Sequence, residues 1–178
     1  MDNPESVVEF YEAAKNLWEK ADSIKVCDEN NVEELLKALV VLHLKALYLP
    51  NFELRNSDDL PDSEVARINS VLKMKILYRR RIGCVPKIEF KSKEHYHEFF
   101  DSYDAGSTVT ASLSDDMDGI LMDVGTGICL YEHGYQAEAV FEWKHSFMIH
   151  WGEHITGAIR ALDSMYRPFG ERSMYGEI

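Results

Sequence analysis

Cysteine is scarce in this chain and is spaced for no framework. Cys27, Cys84 and Cys129 are odd in number, far apart and form no CxxC pair. That excludes a disulfide-stapled scaffold or a zinc knuckle and suits reduced thiols in a cytoplasm. Long apolar runs are missing as well. The most apolar window, LLKALVVLHLKALYL at 35–49, contains Lys37, His43 and Lys45; it is shorter than a bilayer span and reads as a buried helix. The opening MDNPESVVEF lacks the basic start and apolar stretch of a signal peptide. A cytoplasmic protein with no membrane association is therefore expected.

Positive charge is also in deficit. Nineteen Lys and Arg face 31 Asp and Glu, for a formal charge of -12. A chain this acidic repels phosphate backbones, which excludes sequence-independent nucleic-acid binding and disfavours anionic membranes. Familiar catalytic signatures are missing too. There is no GxSxG elbow and no Ser-His-Asp arrangement, and the glycine pair at 125–127 is no phosphate loop, because Leu130 stands where GxGxxG needs its third glycine. No cofactor is implied.

What is present is the material of a core. In 178 residues the hydrophobic fraction is 46% and the aromatic fraction 11%, enough for one globular domain over 1–178. The loop at 104–112 is the only plausible hinge. A first helix starts at NPES, with Asn3 as cap and Pro4 at the first helical position; Val7, Phe10, Ala14, Leu17, Trp18 and Ala21 mark its stripe. The second, about 32–49, is apolar nearly all round, which predicts a place at the centre of the bundle; Pro50 stops it. A third carries Val65, Ile68, Leu72 and Ile76 on one side and ends before Gly83. Its basic cluster, KMKILYRRR at 73–81, complements a helix C-terminus.

After the short extended piece KIEF, a helix is expected around 93–103, then a loop over 104–112 with Ser112 or Ser114 as the next cap. For GILMDVGTGICLYEHG two structures compete. A hairpin would need alternation, and both arms lack it. Leu113, Met117, Ile120, Val124, Ile128 and Tyr131 instead follow helical spacing, so helix is expected despite glycines that cost about 1 kcal/mol each. A last helix runs from about Tyr135 to Tyr166, burying Trp143, Phe147, Trp151, Ile155, Ala158, Leu162 and Met165. The sum is an all-α, single-domain bundle of about five to six helices with a long C-terminal helix.

Taken together, FFDSYD, SLSDDMDGILMDV and EWKHSFMIHWGEHITGAIRALDSMY resemble the C-terminal half of a bacterial family of about this length, known only as a domain of unknown function. The resemblance covers roughly 96–166. It supports helix over hairpin for 113–132 and supplies no activity, substrate or catalytic residue.

One stretch spells a chemistry. HWGEH at 150–154 matches the inverted zincin pattern, in which two histidines one turn apart bind a metal and the glutamate activates water. His150 and His154 do share a helix side, but Glu153 falls further out. A catalytic zinc wants a third protein ligand, and only 24 residues follow His154, with Glu171 and Glu177 in the tail. The pair therefore reads as polar scaffolding at the edge of an apolar stripe. Asp116 and Asp123, seven apart on one helix face, are the partners that would complete a buried polar network or a carboxylate–histidine site. His43 reads as a hydrogen-bonded core residue, and His95 and His97, two apart on a helix, as divergent. The expected function is a non-enzymatic protein-binding or regulatory module of open oligomeric state. The alternatives are an acidic antagonist of a basic protein, of the toxin-neutralising kind, and a metal-dependent hydrolase built on His150, Glu153 and His154.

Overall fold

The computed structural model describes residues 4–51, 62–80, 85–91, 93–98 and 108–167. It is a helical bundle with two small strand pairs. Helices α1 (Glu5–Ile24), α2 (Val32–Leu47), α3 (Asp62–Arg80) and α4 (Leu113–Glu132) are followed by a C-terminal rod of 31 residues. That rod comprises α5 (Gln136–Ser146), a π-helical turn at Phe147–Trp151 and α6 (Gly152–Tyr166).

The first stripe buries as its spacing dictates, with Val7, Phe10, Ala14, Leu17 and Ala21 inward. Pro4 occupies the N-cap position instead of the first helical one, so the helix starts one residue later than the pattern implied, and Asn3 lies outside the described residues. The polar break that follows is a built turn. Asn31 accepts the Asp28 N–H through Oδ1 and donates through Nδ2 to the Val26 carbonyl, each at 2.8 Å. This sets strand β1 (Val26–Cys27) parallel to β2 (Glu89–Phe90), the extended KIEF piece. Burial and the Asp28 carboxylate push the Cys27 thiol up to about 11, which makes it an inert core residue.

α2 is not at the centre. Its inner side, Val32, Leu35, Ala38, Leu39, Leu42 and Ala46, is buried against α1 and α6, while Val40, Val41, Leu44 and Leu47 face solvent. An all-apolar helix in a small bundle has only two neighbours to bury against, so one side stays uncovered. Nor is His43 the hydrogen-bonded core residue that its place in the sequence implies. Its ring meets Phe147 edge-on at 5.6 Å, and Nδ1 finds no hydrogen-bond partner among the described residues. Burial therefore holds its pKa below the usual imidazole value.

The centre belongs to α4, which touches α1, α3, α5, α6 and the π turn. Ser112 caps it, accepting the Asp115 N–H at 3.3 Å. Its glycines, which weakened the helix reading, are the landing places of its neighbours. At Gly127 a Cβ would stand 2.0 Å from Trp143 Nε1, and that indole donates to the Val124 carbonyl at 2.9 Å. A large ring thus packs directly on the α4 backbone.

α3 is turned relative to its expected stripe. Ile68, Leu72 and Ile76 are exposed, and Val71, Met74 and Tyr78 face inward; the Val65 side chain is not among those described. Two ion pairs to α5 set this rotation, Arg67 with Glu138 and Lys75 with Glu142. Both cations lie on the Val71–Met74 side, so part of the basic cluster is absorbed as structure. The expected stop at Gly83 lies outside the described residues.

Where a helix was expected over 93–103, residues 95–98 form a strand, and 99–103 lie outside the described residues. β3 (His95–Glu98) pairs antiparallel with β4 (Val109–Ser112), His95 opposite Ser112 and Glu98 opposite Val109. Residues 95–98 alternate exposed and half-buried, the period-2 signature of a strand. The two histidines therefore share the outer face instead of diverging. Part of the 104–112 loop is strand β4, and 101–107 lie outside the described residues.

Gly127→Ala tests the landing place. In an unencumbered helix the change would stabilise by about 1 kcal/mol; here overpacking against Trp143 should cost about 1–3 kcal/mol, read as a lowered urea midpoint with unchanged slope.

Candidate functional site

Two carboxylates on α4 are buried deep in the bundle. Asp116 is 3% and Asp123 5% exposed, and a carboxylate so placed needs hydrogen-bond donors. The C-terminal rod supplies them. His150 Nδ1 lies 2.7 Å from Asp123 Oδ2, and His154 Nδ1 lies 2.9 Å from Asp116 Oδ1. The two rings stand edge to face with centroids 4.8 Å apart. Each carboxylate accepts from Nδ1–H, which fixes the tautomer and leaves Nε2 as the acceptor in the neutral ring.

The π turn brings His150 to this seam. One extra residue per turn shifts the helix register, and the Gly152 N–H reaches back five residues to the Phe147 carbonyl. A Cβ on Gly152 would stand 2.2 Å from that oxygen, so the wide turn depends on glycine here. Trp151, fully buried, anchors the turn by donating to the Ser146 hydroxyl at 3.1 Å.

Strand β3 adds the outer half of the site. Tyr96 donates its hydroxyl to Asp116 Oδ2 at 2.7 Å, so Asp116 is gripped from both sides. Arg160 Nη2 lies 3.4 Å from Glu98 Oε1, and its guanidinium stands over the Tyr96 ring. Burial, the bond to Asp116 and its charge push the Tyr96 phenol well above its usual range. Burial and the Asp116 charge raise Glu98, against the pull of Arg160. The Asp116 hydrogen bond holds His154 above the ordinary imidazole value, against its partial burial.

Of the residues singled out from the sequence, His150, His154, Asp116 and Asp123 come together. Glu153, though next to His154 in the chain, is exposed, and no hydrogen bond or ion pair joins its carboxylate to the four among the described residues. Tyr96, Glu98 and Arg160 were missed, because the strand that carries the first two was read as a helix. The alternation in HYHE was the available signal.

The chemistry open to this arrangement is acid–base. A carboxylate-oriented imidazole is one half of a general-base pair. Next to His150 a cavity of 660 Å³ is lined by Asp123, Glu142, Lys75, His145 and Ser146. Its hydroxyl is engaged: Ser146 donates to the Glu142 carbonyl at 2.5 Å and accepts from Trp151. With each Nδ1 committed to a carboxylate, Nε2 is the ring nitrogen left for a metal. Among the described residues no group of three His, Cys, Asp or Glu side chains is set to share one ion, and the His154 Nε2 edge packs on α4 at Gly119, where a Cβ would lie 3.3 Å away.

A second feature lies on α2. Val40, Val41, Leu44, Leu47 and Tyr48 are 46, 44, 47, 55 and 66% exposed and follow one another at helical spacing along its outer side. Val41 shares a shallow groove with Val8, Glu5, Glu9 and Glu12 of α1.

A family model described as "Domain of unknown function (DUF5063)" matches residues 1–167. The chain belongs to this family. The match extends the resemblance seen over 96–166 to nearly the whole sequence. Among solved structures it is similar to protein BF1032 from Bacteroides fragilis, a structural-genomics target. The two share 22% identity over 90% of this chain and 91% of that one, with a TM-score of 0.58, which shows a common fold. No curated protein matches the chain. No described helix is long and apolar enough to cross a membrane.

The His154 shift has a sign that can be checked. Its pairing with Asp116 stabilises fully below about 6.5, the unfolded imidazole value, and the gain fades as pH rises through the raised folded value. In a histidine NMR titration His154 should titrate above that reference, and Asp116→Asn should bring it down to or below it. An unshifted His154 in the parent protein would contradict the pairing.

Proposed function

We propose that the chain is a non-catalytic binding module that takes a basic, amphipathic protein segment on the outer side of α2. One observation carries this reading: five large apolar side chains, all more than two-fifths exposed, follow one another at helical spacing along α2 and its C-cap residue. Contiguous apolar surface of this kind marks a contact site, and a row at i, i+3, i+4 and i+7 fits a partner helix.

The choice of partner rests on charge. Glu5 and Glu12 border the groove beside Val41, and Lys45, its one cation among the described residues, is paired with Glu9 at 3.0 Å. A second copy of a chain carrying -12 would meet its own repulsion there, whereas a basic segment would be steered in. The His–Asp seam then serves as scaffold, bracing α6, on which α2 packs. Metal-dependent hydrolysis at His150, Glu153 and His154 gains no support, since no three His, Cys, Asp or Glu side chains are set to share one ion among the described residues.

A designed amphipathic helix of Leu and Lys tests the proposal by calorimetry. Binding should weaken roughly tenfold in Leu44→Lys, weaken less in Glu12→Gln, and fall as salt rises. Equal affinity for the parent and Leu44→Lys would overturn it. So would a stable dimer of the parent protein that Leu44→Lys dissociates, because the row would then belong to a second copy.

A further inference from the structure

A cavity of 380 Å³ lies between α1, α3 and α4, away from both the histidine seam and the α2 row. Its size falls within the range of small-molecule sites. Trp18 and Tyr78 form the aromatic wall, ring centroids 6.4 Å apart and tilted by 46°. Both sit directly on α4 because residue 125 is glycine; a Cβ there would stand 2.0 Å from the Tyr78 hydroxyl and 2.3 Å from Trp18 Cζ3. Ile128 contributes a further apolar surface. The interior is ringed and largely apolar, with the buried Tyr78 hydroxyl as a polar group beside Gly125.

The rim carries more acceptors than donors. Lys15 is engaged by Glu132 at 3.4 Å, and Glu132 also accepts the Tyr11 hydroxyl at 2.9 Å. Glu19 has no ion pair among the described residues, so the described lining carries one negative charge in excess. His133 Nδ1 lies 2.7 Å from the Cys129 carbonyl; it donates there, which leaves Nε2 as an acceptor. Apolar aromatic walls beneath unmatched acceptors favour a ligand that is flat and carries a donor cation, and ring faces attract such a cation further.

From this geometry we infer that the α1–α3–α4 cavity is a binding site for a small aromatic compound bearing a protonated amine. The inference is independent of the α2 row. Phenethylamine is the probe, with phenylacetate as its ring-matched anion. The chain's three tryptophans give three indole N–H signals in a ¹H–¹⁵N spectrum. Trp143 and Trp151 are fully buried and hydrogen-bonded, so they serve as internal controls for folding.

Phenethylamine should move the Trp18 signal saturably at low-millimolar concentration and leave the other two in place. Phenylacetate should bind about fivefold more weakly or not at all, the difference a half-exposed ion pair supports. Glu19→Gln, a surface change without folding risk, should remove most of that discrimination, and Ile128→Phe should fill the cavity and abolish the shift. The inference is overturned if Trp18 does not respond saturably, if phenylacetate binds as well as phenethylamine, or if Glu19→Gln leaves the preference for the cation intact.

Discussion

A carboxylate withdrawn from water must find donors or the helix that carries it will not pack. Asp116 and Asp123 impose this condition on α4, and α4 is the helix that most of the others touch. Isolated, each buried charge would cost several kcal/mol. Here one is met by His150, and the other by His154 together with the Tyr96 hydroxyl. These contacts fix the azimuth of α6 against α4, and the phenol contact ties the β3–β4 pair to the same helix. Apolar packing alone tolerates rotation and sliding; the paired carboxylates do not.

The same demand accounts for the unusual turn in the C-terminal rod. A regular α-helix from 136 to 166 would continue one register throughout. The π turn inserts a residue between the Trp143 side and the His154 side, so that the indoles of Trp143 and Trp151 stay in the core while His150 reaches Asp123. Glycine at 152 is what the wide turn requires, since any Cβ would meet the Phe147 carbonyl. Two indoles donating to Val124 and Ser146 hold the ends. Packing and hydrogen bonding here specify one arrangement between them.

Much of this was legible in the residues themselves. Helical spacing identified α1, α2, α4 and the C-terminal rod, and the Asp116–Asp123 and His150–His154 pairs could be matched as facing partners because their spacings each keep one helix side. Three things were not legible. The π turn leaves no mark in a hydrophobic pattern. The rotation of α3 follows from ion pairs to Glu138 and Glu142, which lie some 70 residues away and carry no local signal. Strand β3 was lost because KEHYHEFF holds both periodicities, and pairing with β4 decided between them. The rank of α2 was misjudged for a related reason: hydrophobicity reports what a helix would prefer to bury, not how many neighbours it will have.

One contact made late in the chain bears on how the early part breathes. Lys144, nearly fully buried, reaches the Ala46 carbonyl at 3.3 Å, and Phe147 leans on His43. The last turn of α2 is thus closed by a side chain from α5, 98 residues on. Fraying at that end would strand an amino group inside the protein, so the two ends should open as one cooperative unit. Amide protons near Leu47 and near Ser146 would then exchange with solvent at matched rates, although they belong to different helices.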